Sequence, residues 1–97
     1  MVMNDNINSL IVDKKDNVAV AMVELNTGDT AVYKIGDELK KVTIVDNVPV
    51  YHKFSVSNIS EGDKIYKYGQ VIGRAVKDIK IGEHVHLHNL ISIRENI

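Results

Sequence analysis

Apolar residues in this chain fall in short alternating or clustered runs. No window holds the i, i+3, i+4, i+7 spacing of an amphipathic helix over three turns. Val and Ile together number 26, against 5 Leu. Side chains branched at Cβ lose rotamers in a helix and pack well on a pleated sheet, so the pattern predicts an all-β fold. The polar, Asn-rich start, residues 1–9, reads as a flexible leader ahead of a single domain from 10 to 97. Leu10 to Val12 reads as a short strand, and Asp13-Lys14-Lys15-Asp16-Asn17 as a turn. Val18 to Leu25 reads as a strand covered on both faces, because Val18, Val20 and Met22 alternate with Ala19, Ala21 and Val23. Val42, Ile44 and Val48 mark the middle of the chain, which leaves its strand at Pro49. A further strand is expected from Lys53 to Ile59, and a hairpin at Lys67-Tyr68-Gly69-Gln70. In its returning strand, Gly73 marks a bulge or a close backbone approach.

One short phrase recurs three times: Leu25-Asn26-Thr27-Gly28-Asp29, Ile59-Ser60-Glu61-Gly62-Asp63 and Ile79-Lys80-Ile81-Gly82-Glu83. Each runs aliphatic, two others, Gly, acid. This is a strand end, a turn with positive φ at Gly, and a new strand. Three such corners suit a compact, bent fold of short strands, and the copies are too few and too short for a solenoid.

Length and charge narrow the function classes. The chain has 97 residues, and a domain of this size buries only roughly 60–65% of its unfolded surface. So little material favours a binding module, or a domain that completes its site against a partner. With 12 Lys+Arg against 13 Asp+Glu and no basic block, nucleic acid is not an expected partner. No apolar run approaches the roughly 20 residues of a membrane span, and the start lacks the pattern of a signal peptide. The expected location is the cytoplasm. The absence of Cys removes disulfides and thiolate metal sites.

The strongest chemical signal is Gly82-Glu83-His84-Val85-His86-Leu87-His88-Asn89. On a strand, His84, His86 and His88 would share one face, with neighbours about 6.5–7 Å apart. Two of these with a ligand from elsewhere make a better metal site than all three in a row, and neutral imidazole suits first-row divalent ions. The alternative reading is a solvated polar face. His52 and Lys53 offer a proton-transfer group beside a cation for a carboxylate, or simply two exposed residues at a strand entrance. Lys67 and Arg74 are further cations that can hold an acidic substrate, though exposed basic residues are usually just solvated.

Four blocks occur in order: Asp16-Asn17-Val18-Ala19-Val20-Ala21, His52-Lys53-Phe54, Lys67-Tyr68-Gly69-Gln70-Val71-Ile72-Gly73, and Gly82 to Asn89. Together they closely resemble the N-terminal SAF domain of the altronate and galactarate dehydratase family. The resemblance runs from about Asp13 to about Leu90. It implies a β-clip fold and a small subunit that pairs with a large catalytic dehydratase subunit, as in split family members. It also implies a divalent metal, iron(II) or manganese(II). The implied reaction removes water from a sugar acid to give a 2-keto-3-deoxy acid. On this resemblance His52, His86 and His88 carry catalytic roles, with His86 and His88 as metal ligands. Lys53 binds the substrate carboxylate, and Asn89 orients it. His84 ranks lower, because relatives often carry Trp there, and Tyr51 stands where relatives usually have Gly. The small subunit of a (2R)-sulfolactate sulfo-lyase is an alternative within the same architecture. A stand-alone SAF module that binds a ligand is the alternative from another class, and a structural partner whose histidines face solvent is a third.

Overall fold

The computed structural model describes residues 7–93. Within them the chain forms nine strands and no helix. In order these are β1 (Ser9–Leu10), β2 (Val18–Ala21), β3 (Thr30–Ile35), β4 (Glu38–Thr43), β5 (Lys53–Ser55), β6 (Lys64–Lys67), β7 (Gln70–Ala75), β8 (His84–Val85) and β9 (Leu90–Ser92). They make three antiparallel sheets: β1-β2-β5-β8, the hairpin β3-β4, and β6-β7-β9. All-β architecture is what the β-branched composition predicts. No helix among the described residues is long and apolar enough to cross a membrane.

All four residues of β2 are buried, so the four-stranded sheet is an inner wall. On one side Ala19, Ala21 and Phe54 pack with Tyr33, Val42, Ile44 and Val48. On the other, Val18 and Val85 pack with Ile59, Ile65, Ile79 and Leu90. Period-2 alternation thus feeds two small cores from one sheet. The expected strand Val18–Leu25 stops at Ala21. There the Ala21 N–H donates to the His52 carbonyl, the Tyr51 N–H donates to the Ala21 carbonyl, and pairing resumes only at Leu25 with Val48. Met22 and Val23 are therefore exposed. The expected strand Lys53–Ile59 stops at Ser55, whose hydroxyl donates to the Ser57 carbonyl and turns the chain out.

The repeated corners have the expected geometry, with φ of 93°, 91° and 92° at Gly28, Gly62 and Gly82. Each Gly N–H crosses to a neighbouring strand, at Ile44, Ala75 and Ser55. Each following acid folds back onto a backbone N–H three residues earlier: Asp29 to Asn26, Asp63 to Ser60 and Glu83 to Lys80. A fourth corner, Val48-Pro49-Val50-Tyr51-His52, has the same backbone pattern without glycine or acid. Tyr51 takes φ of 70°, its N–H crosses to Ala21, and the His52 N–H closes onto Pro49. At Gly82 the tolerance is lowest, because an added Cβ would run into the Thr43 carbonyl oxygen. Gly73 is likewise a close approach, with its missing Cβ facing the Ile91 carbonyl.

Residues 1–6 lie outside those described, but Asn8 and Ser9 are built into the fold. The Asn8 side chain accepts from the Val32 N–H and donates to the Thr30 carbonyl, and Ser9 is buried against the Val32 carbonyl. These bonds cap the free edge of β3, which an unanchored leader would leave open. Asn17 caps β6 in the same way, at Lys64 and Tyr66.

Beside it, the buried Asp16 carboxylate accepts from the N–H groups of Val12, Asp13, Tyr68 and Gly69. It thereby ties the first turn to the β6-β7 hairpin, where Tyr68 and Gly69 both have positive φ. Replacing Asp16 with Ala strands these donors and should cost about 2–4 kcal/mol. Denaturant unfolding of the purified chain measures this, and Asp16→Asn should lose less. Tyr51→Gly should act in the opposite direction. Relief of the left-handed strain exceeds the added backbone entropy, for a gain of about 0.5–1 kcal/mol in the same assay.

A three-histidine candidate site

His52 enters the site from the fourth corner, and His84 and His86 from β8 and the turn that follows it. Strand pairing brings them together, because Phe54 lies opposite His84 and Lys53 opposite Val85. One ring nitrogen from each of His52, His84 and His86 lies within 4.8 Å of the others. His52 Nδ1 and His84 Nε2 are 3.0 Å apart, so one donates and the other accepts. The His52 and His86 rings are 4.6 Å apart, and the His84 and His86 rings stack at 5.5 Å with an angle of 10°. All three side chains are half-buried.

Crowding disfavours the charged form at His84 and His86. Burial, then the neighbouring His52, His88 and His86, push His84 down to about 4, against a smaller upward pull from Asp46. Burial, followed by His52, Lys53 and His88, lowers His86. Burial, and then the charge of Lys67, lowers Lys53 below the usual lysine range. Neutral imidazoles with nitrogens this close are the donor set that a divalent first-row metal takes, since metal binding competes with protons. His52, His84 and His86 would hold such an ion, leaving its remaining positions for other ligands.

A groove of about 430 Å³ opens beside the cluster, lined by Asp46, Lys77, Asp78, Glu83, His84 and His88. The Asp46 carboxylate accepts from the His84 N–H and fixes the start of β8. Leu87, 76% exposed, and Tyr51, 69% exposed, are the most exposed large apolar residues described, and both adjoin cluster histidines in the chain.

The family described as the altronate/galactarate dehydratase SAF domain matches this sequence over residues 7–93. The chain belongs to that family. Over 79 residues the SAF domain is 39% identical to the altronate dehydratase of Bacillus subtilis strain 168, covering 80% of this chain and 15% of that protein. Over 74 residues it is 40% identical to the altronate dehydratase of Escherichia coli strain K12, covering 76% and 14%. It is also 32% identical over 87 residues to the (2R)-sulfolactate sulfo-lyase subunit alpha of Chromohalobacter salexigens, covering 87% of this chain and 93% of that subunit. The chain therefore spans about one seventh of the altronate dehydratases it matches and nearly all of the sulfo-lyase subunit.

Within the SAF domain the expected site residues are redistributed. The His52 and His86 rings lie together, and the Lys53 charge is close enough to act on His86. His88 does not join the trio. It is exposed on a turn, with its ring 5.5 Å from that of His84, so the pairing of His86 with His88 as ligands gives way to His52, His84 and His86. The cause is Asn89, which is 2% exposed. Its Oδ1 accepts from the His86 N–H and its Nδ2 donates to the His84 carbonyl, closing the run into a turn after Val85. Asn89 thus organises the histidine backbone, and a straight strand from His84 to His88 does not form. Arg74 lies apart from the histidines, its guanidinium reaching the Gly62 carbonyl. Asp46 was not anticipated, since nothing in its local sequence announces a contact with His84.

In the folded chain His84 gains its proton only near pH 4, against about 6.5 when unfolded, so the unfolded state holds more protons between these values. The stability due to neutral His84 is complete above pH 6.5 and is lost as pH falls towards 4. Thermal melting of the metal-free chain across this range should decline with acid, and His84→Gln should flatten the decline relative to wild type.

Proposed function

We propose that this chain is the small subunit of a split sugar-acid dehydratase, a hydro-lyase whose active site it completes against a separate large catalytic chain in the cytoplasm. The histidine trio carries this reading. It is a concentrated set of imidazoles, set at the surface of a domain too small to wall off a substrate. The near-complete coverage of a sulfo-lyase subunit supports the split arrangement, and the higher identity to altronate dehydratases supports a carbon–oxygen elimination. Exposed Tyr51 and Leu87 give a partner apolar surface next to the site.

Elimination of water begins with loss of the proton beside the substrate carboxylate, and negative charge then builds on that carboxylate. Lys53, half-buried beside His86, is the candidate cation for it. His52 and His86, neither paired with an acid among the described residues, are candidates to take the proton or to return one to the departing hydroxide. A bound divalent ion, iron(II) or manganese(II) by family resemblance, would supply Lewis acidity to the carboxylate or the leaving group. His88 and Asn89 flank the groove beside this chemistry.

The groove lining, with Asp46, Asp78 and Glu83 against Lys77, suits the several hydroxyls of a sugar acid; sulfolactate, the alternative drawn from the sulfo-lyase relatives, has one. Sugar hydroxyls can donate to those carboxylates.

Co-expression with the large dehydratase-like chain of the same organism, followed by assays with altronate, galactarate and sulfolactate, tests the proposal. A sugar acid should give a 2-keto-3-deoxy product only when both chains are present. Alanine at His52 or His86 should lower kcat about 100-fold or more with the complex intact. Full activity of these variants would reduce the chain to a structural partner. Absence of any complex would leave the reading without its central claim.

A further inference from the structure

A second concavity, of about 480 Å³, lies beside the core that contains Tyr33 and shares no lining residue with the histidine groove. Ile11, Ile35 and Val56 form apolar wall, and Lys14, Asp16, Glu38 and Lys40 also border it. Most of its polar groups are already satisfied. Both Asp16 oxygens accept backbone N–H groups, and Glu38 pairs with Lys40 at 3.3 Å. The Tyr33 hydroxyl is not. Tyr33 is only 7% exposed, lines the cavity, and its hydroxyl has no hydrogen-bond partner among the described residues. Lys14 stands exposed at the rim, with no ion pair among them. A buried polar group without a partner calls for one. Here the missing partner is an acceptor, and the wall on one side is apolar, formed by Ile11, Ile35 and Val56.

We infer that this cavity is a binding site for a small amphipathic carboxylate, with its head between Tyr33 and Lys14 and its apolar body against Ile11, Ile35 and Val56. The volume lies within the usual range for small-molecule pockets, and an apolar wall with a few placed donors is their usual lining. The chemistry differs from that of the histidine face, where the substrate is hydroxylated and the groove acidic. This site therefore stands whether or not the dehydratase reading holds.

The test is a titration of the isotope-labelled full chain, followed by backbone amide NMR, with hexanoate and benzoate as probes and hexylammonium as the charge-reversed control. Saturable shifts are expected at Ile11, Tyr33, Ile35, Gly36 and Val56 with the carboxylates and not with the amine. Tyr33→Phe should weaken hexanoate about fivefold, as loss of one hydrogen bond does. Lys14→Ala, a surface change that does not threaten the fold, should weaken it by about threefold. The inference is overturned if neither carboxylate saturates these amides below about 20 mM. It is also overturned if hexylammonium binds equally well, if the shifts fall on the histidines instead, or if Lys14→Ala and a folded Tyr33→Phe both bind like wild type.

Discussion

The main-chain hydrogen bond that each corner sends across to a neighbouring strand is the interaction on which this fold depends. With strands of two to six residues, no single ladder is long enough to fix its own register. The corners fix it instead. The Gly82 N–H donates to the Ser55 carbonyl, and the Ser55 N–H donates to the Glu83 carbonyl. This two-way exchange clamps β5 to β8, sets Phe54 opposite His84, and so delivers His52 and His84 to the same place. The corner at Tyr51 makes the equivalent exchange with Ala21, locking the other side of β5 to β2. His52 is thus held at the junction of two clamps, on rigid backbone although it lies outside regular strand.

That rigidity has an electrostatic consequence. His84, His86 and Lys53 are gathered where burial and mutual repulsion disfavour added charge. No carboxylate pairs with any of the three rings among the described residues, and Asp46 accepts from the His84 backbone N–H. His52 and His84 share one hydrogen bond, and the ring nitrogens of the cluster lie close enough together to hold a divalent cation.

The parts of this arrangement that were legible in the sequence are those encoded locally. Gly28, Gly62 and Gly82 announce their turns because glycine followed by an acid is a local signal with a local cause. β-branched alternation at Val18–Ala21 likewise announces a strand buried on both faces. His86 and His52 were legible through family resemblance, while spacing alone ranked His84, His86 and His88 equally. The feature that separates them is Asn89, three residues after His86, whose side chain closes a turn. An Asn at that spacing is a turn signal that the alternating pattern overshadowed. The capping of β3 by Asn8, the clasp of Asp16 on Tyr68 and Gly69, and the contact of Asp46 with His84 join residues 22 to 53 positions apart. Polar residues at such separations carry no periodicity, so only the folded chain reveals their partners.

The fourth corner was illegible for a reason that also explains its role. In the other three, the acid after glycine is tied down by the N–H of the second corner residue: Asn26, Ser60 or Lys80. In the fourth, that second residue is Pro49, which has no N–H to offer. An acid there would have nothing to cap, so the position is released from structural duty, and His52 occupies it. Proline also fixes φ at the start of the turn, which offsets part of the strain that Tyr51 carries in the left-handed region. Glycine at Tyr51 would relieve that strain but would remove the exposed ring beside the histidines. The fourth corner thus carries a backbone cost at a solvent-facing residue, next to a histidine freed from capping.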